Sequence, residues 1–169
     1  ISRLANAKVD SIGLLGSTGT YMYLTRKERR KAIEITLSEV PDTLPVIVGI
    51  GALRTDEVVK LARDAKSIGA KAGLLAPVSY TPLTEDEVFE HYAKVASEGG
   101  LPIIIYDNPG TTHFQFTPPL VARLAKIPGV VGIKNPAEDT STTNRHLLNQ
   151  RSIVPKHFSI GYSRVWNSV

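Results

Sequence analysis

An α/β fold with a parallel sheet is predicted by three features of the 169-residue chain. Short apolar runs recur along it, each run ends in Gly, Pro or small polar residues, and longer amphipathic segments lie between the runs. The runs are Ile12 to Leu15, Pro45 to Ile50, Ala72 to Ala76, Pro102 to Tyr106, Val130 to Ile133 and Phe158 to Ile160. They are nearly continuous rather than alternating, as parallel strands buried on both faces require.

Taken in order, the opening residues Ile1 to Ala7 read as the tail of a helix whose start is missing. Thr25-Arg26-Lys27-Glu28 and Thr84-Glu85-Asp86-Glu87 are capping boxes that begin helices after the first and third strands. Asp56 to Ile68 carries Val58, Val59, Leu61, Ala62 and Ala65 on one face, with Gly69 as its stop. Thr117-Pro118-Pro119 opens a further helix, since proline is tolerated in a first turn, and Thr140 to Gln150 is a weaker helical segment. These βα units admit an open doubly wound sheet or part of a (β/α)8 barrel. The dinucleotide fingerprint of the former is absent: the first turn reads Gly16-Ser17-Thr18-Gly19, and Gly49-Ile50-Gly51-Ala52-Leu53-Arg54 lacks the third glycine. A whole barrel needs eight strands and about 250 residues. The reading is therefore a single domain over residues 1–169, a partial barrel truncated at both ends, within a longer native chain.

Composition narrows the function. With 42% hydrophobic and 21% charged residues the chain is that of a soluble globular domain. The absence of cysteine excludes a disulfide framework, thiolate metal sites and a cysteine nucleophile. No apolar run approaches the roughly 18 residues of a membrane span, and the first residues lack signal-peptide character, so the expected location is cytoplasmic. The net charge of +4 is mild. The basic run Arg26, Lys27, Arg29, Arg30 and Lys31 offers nucleic acid a patch. Glu28 and Glu34 interrupt it and no aromatic residues interleave, so it reads as a solvated helix face.

Chemistry-bearing residues fall at the carboxyl ends of the predicted strands, where a barrel places its active site. Gly16-Ser17-Thr18-Gly19 combines tight-turning glycines with two hydroxyls and exposed amides, suited to a carboxylate or phosphate, or is an ordinary βα turn. Tyr106 closes a strand, a position as compatible with packing as with catalysis. Lys134 directly continues the strand Val130 to Ile133. There it either reaches solvent or is desolvated, and desolvation lowers an amine's pKa towards the neutral form that attacks a carbonyl. Gly161-Tyr162-Ser163 follows the last predicted strand and is too generic to assign. His91, His113, His146 and His157 have no metal-ligand spacing, so no metal is expected; His113 is placed to line a pocket and His91 reads as structural.

Together these motifs resemble the dihydrodipicolinate synthase / N-acetylneuraminate lyase family of Schiff-base pyruvate aldolases, over essentially the whole chain. Gly16-Ser17-Thr18-Gly19 is similar to that family's G-[TS]-T-G loop, Tyr106-Asp107-Asn108-Pro109 to its Y-N-x-P turn, and Gly132-Ile133-Lys134 to its G-[IV]-K strand. The resemblance implies a (β/α)8 barrel of which this chain supplies strands two to seven, assembled as a homodimer or homotetramer. It implies Lys134 as the amine that condenses with a 2-oxo acid such as pyruvate, and Tyr106 as general acid/base. Ser17 and Thr18 would bind the substrate carboxylate, without any cofactor.

Three positions depart from the family pattern. Thr111 stands where synthases carry an Arg for the second substrate's carboxylate, Ser79 (beside Tyr80) where a relay tyrosine crosses a subunit interface, and Thr20 where an acidic residue often follows the loop. The expected function is a Schiff-base lyase for aldol cleavage, condensation or dehydration of a 2-oxo acid. The alternatives are 4-hydroxy-tetrahydrodipicolinate synthase proper, against which Thr111 argues, and a non-catalytic family member.

Overall fold

The computed structural model describes residues 1–137 and 139–164. Of the domain expected over 1–169, residue 138 and residues 165–169 lie outside the described residues. Six strands form one sheet: β1 (Ile12–Leu14), β2 (Val46–Gly49), β3 (Ala72–Leu75), β4 (Ile103–Tyr106), β5 (Val130–Ala137) and β6 (Ser159–Arg164). They pair in sequence order and every pair is parallel. Because the order never reverses, right-handed crossovers all advance the same way and lay their helices on one side of the sheet. A doubly wound sheet needs a reversal, so the partial barrel is the architecture present.

The crossovers carry α2 (Arg26–Ser38), α3 (Thr55–Ile68), α4 (Glu85–Gly99), α6 (Pro118–Leu124) and α7 (Thr140–Ile153), with α1 (Ser2–Asn6) preceding β1 and the single-turn α5 (Pro109–Thr112) following β4. Both capping boxes form, each Thr hydroxyl accepting from the Glu backbone N–H and each Glu carboxylate reaching back to the Thr N–H. Thr117 caps α6. Gly69 and Gly100 end α3 and α4 at φ +117° and +65°, in the left-handed region that a Cβ disfavours. No helix among the described residues is long and apolar enough to cross a membrane.

The strands are not equally buried on both faces, as the continuous apolar runs had implied. Val46, Val48, Leu75, Ile103, Ile105 and Ile133 lie beneath the helices, each no more than 2% exposed. The alternate residues Leu74, Ile104, Tyr106 and Lys134 are only half-buried, on the inner face. Burying each large aliphatic on the helix side contributes about 1.5 to 3 kcal/mol. Tyr92 adds a directional contact, its fully buried hydroxyl donating to Leu75 O at 2.5 Å.

Two boundaries differ from the sequence reading. β5 runs on past Ile133 to Ala137, and Gly161, Tyr162 and Ser163 lie within β6 rather than after it. The added length is held by β5–β6 pairing up to Ala137 opposite Arg164, long-range contacts that local sequence does not encode. The weak helix α7 is held by its cap, Asp139 accepting from the backbone N–H groups of Ser141 and Thr142, and by a buried amide pair. Asn135 Nδ2 donates to Gln150 Oε1 at 2.8 Å and Gln150 Nε2 donates back to Asn135 Oδ1 at 3.2 Å.

The basic run on α2 is not a purely solvated face. Arg29 is 6% exposed and donates to Gly51 O at 2.9 Å, with its guanidinium 5.0 Å from the Tyr21 ring centroid. Arg26 and Arg30 both bind Asp64 of α3, Arg26 through two hydrogen bonds and Arg30 through one at 2.8 Å. Three of the cations thus join α2 to its neighbours.

Two substitutions test this framework. A Cβ on Gly49 would lie 1.7 Å from Leu15 O. Gly49→Ala is therefore expected to cost about 1 to 3 kcal/mol in urea denaturation, and an unchanged midpoint would refute the close approach of β1 to β2. Arg26 holds the Asp64 carboxyl below its ordinary value of 3.8, with Arg30 assisting. Its contribution is complete above that value and lost as pH falls through the lower native one, so Asp64→Asn should cost about 1 to 3 kcal/mol at neutral pH and progressively less in acid. A difference independent of pH would show that the carboxylate charge is immaterial.

Candidate active site

Side-by-side residues of paired parallel strands face the same way, so the register of β4 on β5 decides which side chains meet. Ile103 lies opposite Val130, but Ile104 lies opposite Gly132, leaving Val131 as an extra residue in β5. Beyond this irregularity Ile105 faces Ile133 and Tyr106 faces Lys134. An uninterrupted register would have set Tyr106 against Ile133. Lys134 Nζ sits 4.4 Å from the centroid of the Tyr106 ring. On the other flank its register partner is Gly161 of β6.

The loop after β1 supplies the third member. Leu15 takes φ +57°, a left-handed conformation unusual for a branched side chain, and the chain then makes a single 3-10 turn over Ser17–Gly19. Ser17 Oγ thereby comes within 3.1 Å of the Tyr106 hydroxyl, either group able to donate, and Asn108 Nδ2 donates to the same hydroxyl at 3.0 Å. The three groups border a cavity of about 590 Å³ whose wall also includes Thr18 and Thr111. Lys134 is the one basic residue among its described lining residues.

Burial pushes the Lys134 ammonium below its ordinary value, and the Tyr106 hydroxyl opposes this in part. A lowered pKa enlarges the fraction of neutral amine at working pH, the condition for attack on a carbonyl. Asp107, next along from Tyr106, is 7% exposed, and burial raises its carboxyl to about 6. Its backbone N–H donates to Lys134 O at 2.9 Å.

Ser17, Tyr106 and Lys134 are thus brought together, and Thr18 lies on the same wall. Ser79 and Tyr80 are elsewhere: the Ser79 hydroxyl is engaged with Thr81 of its own turn, at 2.6 and 3.1 Å, and Tyr80 is 96% exposed. His113 lines no part of this cavity; it caps α5 at φ +55° with its side chain exposed. His91 is largely buried, its Nδ1 2.8 Å from Thr55 Oγ1 and its Nε2 without a hydrogen-bond partner among the described residues, and burial lowers its pKa to about 4. No group of His, Asp or Glu converges as metal ligands among the described residues. Asn108 was missed by sequence reasoning. Its signal is the Asn-Pro step opening α5, which sets it as N-cap with its side chain beside Tyr106.

Residues 1–160 match the model of the dihydrodipicolinate synthetase family. Curated relatives include two proteins named 4-hydroxy-tetrahydrodipicolinate synthase. That of Thermodesulfovibrio yellowstonii is 40% identical over 73% of this chain and 43% of its own length, and that of Methylococcus capsulatus is 36% identical over 89% and 50%. Among solved structures, a dihydrodipicolinate synthase from Agrobacterium tumefaciens superposes with TM-score 0.90 at 51% identity, over 95% of this chain and 54% of that one. A prophage protein of the dihydrodipicolinic acid synthase family from E. coli K12, in complex with pyruvate, gives 0.86 at 27% identity over 95% and 54%. The chain spans about half the length of the curated relatives it matches. The G-S-T-G loop, the Tyr106–Lys134 register and the family match together assign the chain to the dihydrodipicolinate synthase family.

Proposed function

We propose that the protein is a Schiff-base lyase of class I aldolase type acting on a 2-oxo acid, with pyruvate as the first substrate to test. The observation that carries this reading is the half-buried Lys134 amine lying 4.4 Å from the ring of a tyrosine whose hydroxyl is bonded to Ser17. In this reading neutral Lys134 attacks the keto carbon, forming the C–N bond while the keto oxygen takes up a proton. Tyr106 then delivers a proton to the carbinolamine hydroxyl, which leaves as water, and the iminium remains. In condensation, loss of a proton from the carbon next to the iminium gives an enamine that attacks the partner's carbonyl carbon, whose oxygen takes up a proton. In cleavage, the bond between that carbon and the next breaks as the departing carbinol loses its hydroxyl proton and its electrons pass to the iminium, with Tyr106 taking or returning the proton. Ser17 Oγ orients the phenol, and the amides and hydroxyls of Ser17 and Thr18 hold the carboxylate. Assembly as a homo-oligomer and a cytoplasmic location belong to the same proposal.

The names of the curated relatives favour a narrower reading, 4-hydroxy-tetrahydrodipicolinate synthase. Against it stands the lining of the cavity, where Thr111 offers a hydroxyl and no guanidinium. A charged hydrogen bond to a second carboxylate contributes about 1.5 to 3 kcal/mol. We therefore retain the broader lyase and assign Thr111 to a partner substrate that needs no cation at that point.

Borohydride reduction in the presence of pyruvate should leave a pyruvyl adduct on the Lys134 peptide, absent in Lys134→Ala. Failure with pyruvate and with longer 2-oxo sugar acids would leave the non-catalytic alternative. Because burial lowers the Lys134 pKa, the trapping rate should already rise with pH below 10.5, the ordinary lysine value; a rise confined to that value would show an ordinary solvated amine. Tyr106→Phe should slow imine formation by about 10²- to 10⁴-fold, with wild-type speed refuting its part in proton transfer.

A further inference from the structure

Behind the Tyr106–Lys134 cavity lies a second cavity of about 340 Å³, bounded by the end of β4, by β6 and by α7. Its charged and polar lining is graded by depth. Asp107 is 93% buried, since it is 7% exposed, and its Oδ1 has no hydrogen-bond partner among the described residues. The Tyr162 hydroxyl is likewise shielded from solvent and without a partner among them, its ring meeting His146 edge-on at 5.9 Å between centroids. At the mouth stand the exposed Arg145 and Asn149. Arg145 makes a long hydrogen bond to Thr142 Oγ1 at 3.5 Å, which leaves most of its five donors available.

A buried carboxyl without a donor destabilises the fold unless something supplies one. The proposed lyase mechanism uses Tyr106 and Lys134 and leaves this carboxyl without a role. A simple anion would meet Asp107 at the deep end, and a simple amine would meet Arg145 at the mouth. A metal ion would find one carboxylate where it needs several ligands. We propose that this cavity binds a small zwitterion, an amino acid whose ammonium group reaches Asp107 and Tyr162 while its carboxylate is held by Arg145 at the mouth. The site abuts the Tyr106–Lys134 cavity: Asp107 and Pro136 line both, and the Asp107 N–H is bonded to the Lys134 carbonyl.

The test is calorimetric titration of the protein with glycine, β-alanine, γ-aminobutyrate and ε-aminocaproate, which span increasing separations of the two charges. One of them should saturate a single site, and its counterparts lacking either the amine or the carboxylate should bind about tenfold more weakly or worse. Arg145→Ala, at an exposed helix position, and Asp107→Asn should each weaken binding by about tenfold, whereas Lys134→Ala should bind as the wild type does. Without ligand at neutral pH, Asp107→Asn should unfold at a higher temperature than the wild type, because it no longer buries an uncompensated carboxylate. The proposal is overturned if none of the four amino acids binds, if singly charged counterparts bind equally well, or if a folded Lys134→Ala protein loses the ligand. Unaltered affinity in Arg145→Ala would overturn it even if Asp107→Asn failed to fold.

Discussion

One extra residue in a strand governs the site. Parallel pairing is strict about sidedness, since a slip of one position exchanges the faces of every residue beyond it. Val131 is that slip: without it Ile133 would stand beside Tyr106, and Lys134 beside Asp107. With it, Ile105 and Ile133 go together under the helices and Tyr106 and Lys134 go together to the inner face. The core and the candidate chemistry are thus set by the same displacement, and neither can be changed without the other. Bulges often re-aim side chains next to active sites; here the bulge aims an amine.

What surrounds this register keeps it in place. On the far side of β5, Asn135 is fully buried and paired with Gln150, so the residue immediately after the amine is tied to α7. Replacing one partner would leave the other amide buried without its bonds, at a cost of about 1 to 3 kcal/mol. On the near side, the close approach of Leu15 O to the Gly49 backbone lets β1 deliver its loop over the sheet. Leu15 pays a conformational penalty of about 1 to 2 kcal/mol for a left-handed φ, and the return is a Ser17 hydroxyl aimed at Tyr106. Backbone strain of this kind clusters at functional sites, which fits the loop's proposed part in substrate binding.

Local chemistry made much of this legible beforehand. Apolar runs gave the six strands, and Thr25, Glu28, Thr84 and Glu87 announced two helices because a capping box is complete within four residues. Motif resemblance picked out Ser17, Tyr106 and Lys134. What stayed hidden depended on partners distant in sequence. The burial of Arg29 needs Gly51 O and the Tyr21 ring, and the Asp64 pairing needs α2 packed on α3. The extension of β5 needs β6 beside it, and the slip at Val131 is a property of two strands that neither carries alone. Asn108 lay in view within the Tyr106 turn, but its use shows only once the turn closes on the phenol.

The departures from the family pattern acquire meaning in the same geometry. Ser79 is held within its own turn and Tyr80 points to solvent, so within this chain the Tyr106 hydroxyl is supported by Ser17 and Asn108 rather than by a second tyrosine. A hydroxyl and an amide around a phenol can relay or orient a proton, but they add no charge. Thr111 likewise adds a hydroxyl to the wall and no charge, leaving Lys134 as the only basic residue among the described residues of that wall. On the proposed reading the iminium retains that positive charge beside the first carboxylate, and a second carboxylate on the incoming partner would find no cation of its own. Neutral, hydroxyl-bearing partners meet no such deficit, because Thr111 and Asn108 both exchange hydrogen bonds without requiring charge. On that reading selectivity in this cavity turns on the charge of the second substrate, while the chemistry proposed at Lys134 is the same for each.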